Sequence, residues 1–214
     1  MGFCLFNNIA IAAEYAIERK GVERVLIVDW DLHHGNGTQR AFYDRPDVLF
    51  WSSHQFPHYP GTGDFDEVGR GKGAGFTVNA PFPSGFGDAE FIAVYDRVLR
   101  PIALEYRPDL VLVSAGFDPY FKDPLGGIQL TGEGFGKIAA IVRSIAESCC
   151  GGRMLITLEG GYHPDGLREG VRAVLQSLSG PMMSVASAEA PKAEGVIRTI
   201  AANQKPYWNC LKAL

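Results

Sequence analysis

Arg24–Thr38, RVLIVDWDLHHGNGT, decides how this chain is read. Val25-Leu26-Ile27-Val28 is an uninterrupted apolar run, the pattern of a strand buried on both faces. It empties into Asp29, Asp31, His33 and His34, and then into the turn Gly35-Asn36-Gly37. Asp29, Asp31 and His33 occupy alternate positions, and on extended backbone alternate side chains share a face. The spacing therefore predicts two carboxylates and an imidazole on one side of a strand end, where a divalent metal would collect them.

The 214 residues are enough to bury a substantial core, and 1–214 is read as one domain. A hydrophobic content of 46% with 21% charged residues is ordinary for a soluble globular protein. The formal net charge of -4 argues against a nucleic-acid-binding surface, which is normally basic. No apolar run has the length needed to cross a membrane. The N-terminus lacks a basic region and Glu14 interrupts the apolar segment 9–17, so no signal peptide is expected. The Met-Gly start is a poor myristoylation match, with Phe6 where Ser or Thr is required. Cys4, Cys149, Cys150 and Cys210 form no C-x-x-C pair and read as reduced thiols of a cytoplasmic protein.

Helices are expected over 6–20, 36–43, 88–106, 131–148, 165–179 and 194–203, and strands over 25–29, 48–52, 76–79, 110–114 and 153–158. Asp88 is placed near an N-cap, Thr131 is read as a cap, and Pro101 is expected to break or kink its helix. The loop 54–75, rich in Gly, Pro and aromatics, is longer than a bare connection requires and is expected to serve a function. Strands alternating with helices predict an α/β fold, a parallel sheet with helices on both faces. Ligands of such sheets bind outside the carboxyl ends of the strands.

Three loops fall there. The first carries Asp29, Asp31 and His33. The second, Ser114-Ala115-Gly116-Phe117-Asp118-Pro119, places Asp118 just past a strand. The third is Leu158-Glu159-Gly160-Gly161-Tyr162. Asp31, His33 and Asp118 would supply two oxygens and a nitrogen, and three protein ligands with an open position describe a catalytic zinc site. Iron(II) or cobalt(II) would accept the same set. A tyrosine hydroxyl opposite the metal would stabilise an oxyanion, typically worth ~10²–10³ in rate. Gly160-Gly161 would let backbone approach a substrate closely.

The strings DWDLHHGNGT, PGTGD, SAGFDP, DPLGG and LEGGY, in this order, resemble the zinc-dependent histone deacetylase family. The likeness spans Gly2 to about Trp208. It is greatest to the class II branch and to bacterial acetoin-utilisation proteins and acetylpolyamine amidohydrolases. The resemblance implies an arginase/deacetylase-like three-layer fold with a mostly parallel sheet, and hydrolysis of acetyl-lysine or acetylated polyamines. It implies Asp31, His33 and Asp118 as zinc ligands, Tyr162 as transition-state donor, and Asp29 as the carboxylate that orients a catalytic histidine. Gly2, Phe3 and Tyr59 match positions lining the acyl-lysine channel, and Leu125 matches one at its rim. One structural K+ or Na+ site is implied at Asp29, Asp31, His33, Ser52 and Ser53, and a second at Phe42, Arg45, Val48 and Phe76.

The family also carries a His-His pair upstream of the Gly-Phe-Cys segment. This chain starts at Met1-Gly2-Phe3-Cys4, so the expectation is an N-terminally truncated domain, impaired as a hydrolase, since a general base usually contributes ~10²–10⁴. None of His34, His54, His58 and His163 is expected to replace that base. The sheet edge exposed by truncation is compatible with self-association. A non-catalytic fragment that binds metal and acyl-amine is the alternative. A two-metal ureohydrolase ranks lower, because it wants an aspartate where Gly35 stands.

Overall fold

The chain is described from a computed structural model covering residues 5–182, 185 and 189–212. Gly2, Phe3 and Cys4 lie outside the described residues.

Five strands form one all-parallel sheet: β1 (Val25–Asp29), β2 (Val48–Gln55), β3 (Thr77–Phe82), β4 (Leu110–Ala115) and β5 (Met154–Leu158), in the order β3-β2-β1-β4-β5. The helices are α1 (Asn8–Lys20), α2 (Asn36–Phe42), α3 (Asp88–Val94), α4 (Arg100–Tyr106), α5 (Gly132–Cys150), α6 (Pro164–Ser179) and α7 (Glu194–Gln204). β1 is central and buried along its length. Alternate side chains of a strand face opposite ways, and each set meets its own core. Val25 and Ile27 join Val48, Phe50 and Leu112 under Ile9, Ala10 and Ala13 of α1. Leu26 and Val28 join Leu49, Trp51, Val111 and Val113 beneath residues of α3, α4, α5 and α7. An apolar residue is thus required at every position of the run, which explains why it does not alternate. The architecture is the expected three-layer α/β arrangement.

Several local expectations are refined. The N-cap of α3 is Gly87, and Asp88 stands next to it as expected. The Asp88 carboxylate accepts from Thr131 N (2.8 Å) and Thr131 Oγ1 (2.6 Å), while Thr131 caps α5 as expected. The helix predicted over 88–106 continues through a π-type turn, Tyr95–Leu99, that precedes Pro101. A proline has no N–H to donate to the preceding turn, and a wider turn absorbs the mismatch. β2 and β3 run longer than predicted, and β2 takes His54 and Gln55 from the long loop.

The segment after α6 joins the larger core. Gln204 donates to Thr77 O (2.7 Å) and the buried Trp208 indole to Gly75 O (2.9 Å). β5 is the outer strand beyond β4, with Leu155 and Leu158 exposed.

Trp208→Phe retains an aromatic ring against Phe76 and Tyr106 but removes the donor to Gly75 O. Loss of that buried hydrogen bond is expected to destabilise the chain by about 1–3 kcal/mol in urea unfolding. An unchanged midpoint would show that the bond contributes nothing.

Candidate metal centre

Strand order reverses between β1 and β4: from β1 the chain builds outward through β2 and β3, then crosses back to β4 and β5. Such a switch point leaves a crevice outside the carboxyl ends of the two strands. Asp31 and His33 follow β1, Asp118 follows β4 and Tyr162 follows β5.

Residues 30–34 are not extended strand, contrary to the spacing argument, because β1 ends at Asp29. Each aspartate there accepts the amide two residues on. Asp29 Oδ1 takes Asp31 N (3.0 Å) and Asp31 Oδ1 takes His33 N (2.8 Å). These local bonds replace sheet pairing. They still leave ligand atoms of Asp31, His33 and Asp118 within 4.8 Å of one another.

Most of the carboxylate oxygens have defined partners. Asp31 Oδ2 accepts Gly160 N at 3.1 Å, and Asp118 Oδ1 accepts Leu32 N at 2.9 Å. His33 Nδ1 lies 3.0 Å from Asp31 Oδ1 and 3.1 Å from Asp118 Oδ2. The ring N–H satisfies Asp31; it is not aimed at Asp118 Oδ2, which is buried without a hydrogen-bond donor. A buried anionic oxygen without a donor, facing a carboxylate and an imidazole nitrogen, fits a cation. The proton here stands in for one. The close carboxylates of Asp118 and Asp31 push the His33 imidazole up to about 10. Burial raises Asp118, and Asp31's charge adds to that. A metal would displace the imidazole proton on binding.

Asp29 is buried beside this group and is not one of the three clustered ligands. Burial holds its carboxyl well above the usual range, with the charge of Asp31 as second cause. Gly35 is needed here, since a Cβ would fall 2.3 Å from Asp29 Oδ2. The Gly160-Gly161 turn is equally tight: a Cβ on Gly160 would lie 2.5 Å from Asp118 Oδ2, and Gly161 has φ +136°. Tyr162 is 41% exposed.

Of the first cation set, Asp29 is in register with Ser52, and Ser53 Oγ approaches Asp29 O (3.4 Å) and bonds the buried Tyr95 hydroxyl (2.7 Å). In the second set, Phe42 O accepts Arg45 N (3.1 Å), Phe76 O accepts Phe50 N (2.8 Å), and Val48 pairs with Val25. Tyr59 meets the His33 ring edge-on at 6.2 Å, and His58 stacks on that ring at 5.4 Å. Tyr59 and Leu125 are exposed.

Sequence reasoning missed a network behind the site. His34, buried, is bonded by Thr62 Oγ1 at Nδ1 (2.8 Å) and to Gln39 Oε1 at Nε2 (2.9 Å). Asn79 donates to the same Gln39 oxygen, and Glu67 Oε1 accepts Gly63 N (2.8 Å). His54, buried beside His34 at a ring separation of 4.7 Å, donates to Gly63 O and contacts Ser52 Oγ. The partners come from several elements, so no local pattern announces them. The network also accounts for the length of the loop, which is pinned onto β2 with Tyr59 held over His33.

These observations define a parallel α/β protein with a metal-type centre at its switch point. The chain belongs to the histone deacetylase domain family, which matches residues 1–178. It is 47% identical to "Histone deacetylase 10, chloroplastic" of Oryza sativa subsp. japonica, over 84% of this chain and 41% of that protein. It is 43% identical to "Polyamine deacetylase HDAC10" of Homo sapiens, over 99% of this chain and 32% of that protein. The crystal structure of the HDA15 HD domain superposes with TM-score 0.91 at 39% identity, covering 100% of this chain and 58% of that one. The structure of the histone deacetylase Clr3 gives 0.89 at 39%, covering 97% and 36%. The chain therefore spans well under half the length of these curated relatives. They are plant and human proteins, and they give no support to reading the chain as bacterial from its likeness to bacterial acetoin-utilisation proteins and acetylpolyamine amidohydrolases.

Burial, followed by the charge of nearby His34, lowers the His54 imidazole to about 3. The unfolded chain takes up that proton near the ordinary value of 6.5, so the His54 contribution to stability falls as pH drops below 6.5. His54→Gln is expected to flatten the dependence of unfolding free energy on pH by about 1.4 kcal/mol per pH unit between roughly pH 6 and 4. Equal slopes for parent and variant would show that His54 is charged in the folded chain.

Proposed function

We propose that this chain carries the metal- and substrate-binding part of an amidohydrolase that removes acetyl groups from acetyl-lysine or acetylated polyamines. The observation that carries the reading is the donorless buried oxygen of Asp118, facing Asp31 and His33 at the switch point. The human relative is named as a polyamine deacetylase, which supports the substrate class.

Asp31, His33 and Asp118 would hold zinc, with iron(II) or cobalt(II) as substitutes. When bound, such an ion polarises a carbonyl and lowers the pKa of water. Tyr162 donates its hydroxyl to the carbonyl oxygen as negative charge develops there. Asp31 serves twice, since its second oxygen fixes Gly160 N and so ties the tyrosine turn to the ligand group. Gly160 and Gly161 keep that turn close to the centre, and Tyr59 and Leu125 face the substrate's chain. Asp29 is the carboxylate for a histidine from outside these residues. K+ or Na+ would sit at Asp29, Asp31, His33, Ser52 and Ser53, and at Phe42, Arg45, Val48 and Phe76. The free thiols of Cys149, Cys150 and Cys210 support a reducing compartment such as the cytoplasm.

The described histidines favour a second reading, a fragment that binds metal and acyl-amine without turnover. His34 and His54 are committed to the loop network, His58 stacks on His33, and His163 packs against Tyr120.

Two measurements test the pair. Calorimetric zinc titration of Asp118→Asn is expected to show affinity reduced by at least about 100-fold, the upper end of outer-shell effects. Unchanged affinity would reject the ligand set. On a fluorogenic acetyl-lysine substrate, Tyr162→Phe is expected to lower kcat by ~10²–10³ with KM nearly constant. A zinc-loaded chain that binds the substrate and never turns it over would establish the second reading.

A further inference from the structure

Asp123 stands in the Asp-Pro-Leu-Gly-Gly run, is 6% exposed, and is absent from the metal-ligating group. Its two oxygens serve two different loops. Oδ1 accepts Leu125 N at 3.0 Å, and Oδ2 accepts Tyr162 N at 2.8 Å. Its own amide donates to Tyr120 O at 2.8 Å, which fixes the carboxylate's base. The turn that carries Tyr162 is held at three points. Glu159 N donates to Ala115 O, Gly160 is bonded on both sides by Asp31 and Phe117, and Asp123 reaches the tyrosine's own amide.

A half-exposed ring takes much of its direction from the backbone it leaves. The backbone before Tyr162 is Gly161, whose φ of +136° is open to glycine and to few other residues, so the turn has little stiffness of its own. A buried carboxylate accepting two amides supplies that stiffness, since charge-assisted bonds are the strong ones.

We propose that Asp123 is a positioning residue. It aims the Tyr162 hydroxyl and, through Leu125, couples that aim to the substrate rim. The proposal rests on the reading of Tyr162 as oxyanion donor. Asn at this position can accept only one of the two amides and turns an NH2 toward the other; Ala accepts neither.

The test uses the full chain loaded with zinc for kinetics and with cobalt for spectroscopy, as Asp123→Asn, Asp123→Ala, Tyr162→Phe and Asp123→Ala/Tyr162→Phe. Asp123→Ala is expected to lower kcat on the acetyl-lysine substrate by about 10²-fold, the typical effect of misplacing a catalytic group. The cobalt absorption spectrum stays unchanged, KM moves far less than kcat, and no further loss of kcat appears in the Tyr162→Phe background. Losses that multiply, or a shifted cobalt spectrum, would overturn the proposal, because Asp123 would then act apart from Tyr162 or through the ligand group. A second readout needs no turnover. With 3-fluorotyrosine incorporated, and the signal of residue 162 assigned by its absence in Tyr162→Phe, Asp123→Asn and Asp123→Ala are expected to move that resonance toward the free amino acid. A resonance unmoved in both also overturns the proposal. A chain without turnover whose fluorine signal shifts as expected would count against the deacetylase reading and leave the positioning role standing.

Discussion

Negative charge gathered at the carboxyl end of one buried strand is the constraint on which the rest of this structure depends. Burial raises the carboxyls of Asp29, Asp118 and Glu159, and the charge of Asp31 raises each of them further. Asp31 is therefore the charge its three neighbours all feel. Backbone amides offset part of the cost: those of Asp31, Leu32, His33 and Gly160 each donate to one of the aspartates. One imidazolium proton offsets another part. Asp118 Oδ2 is left over, and a divalent cation compensates such a cluster more fully than one proton does.

The apolar strand makes this concentration tolerable. β1 is flanked on both sides by parallel strands in register, with Asp29 beside Ser52 on one neighbour and Ser114 on the other. Small hydroxyls next to the carboxylate avoid adding a charge, and Ser114 Oγ donates to Glu159 (2.9 Å). The two cores that grip β1 fix where its end points. Loops leaving β1, β4 and β5 start side by side because those strands are neighbours in the sheet.

Much of this was legible in the chain because it depends on local pattern. A run buried on both faces must be apolar throughout, so 25–28 was legible as a buried strand, though not as the central one, and the alternation of strand and helix pointed to the layers. The three ligand candidates were legible as residues following predicted strands. The geometry was legible only in part: alternate spacing works here through aspartate turns, since the strand has already ended. What stayed hidden depends on distant partners. Nothing near Asp88 shows that it bonds Thr131, and nothing near His34 shows Gln39, Thr62 and Asn79 around it. Asp123 lay inside a motif already singled out for Leu125, yet its second partner is a backbone amide, which leaves no trace in residue type.

Asp123 shares one device with two other carboxylates, Glu67 and Glu105. Glu67 takes the amides of Gly63 and Asp64, Asp123 those of Leu125 and Tyr162, and Glu105 those of Asn209 and Cys210. A loop leaving a sheet carries amides that no ladder satisfies, and a carboxylate that accepts two of them converts that deficit into a fixed shape. Around the Asp31, His33 and Asp118 group, two such clamps act on different segments: Glu67 on the loop bearing Tyr59, and Asp123 on the loop bearing Leu125 and on the turn bearing Tyr162. The residues that face outward are thus separate from those that hold the loops. Exchanging Tyr59 or Leu125, both exposed, alters what the rim contacts without removing a clamp. Exposed side chains carried on clamped loops can vary while the geometry behind them stays fixed.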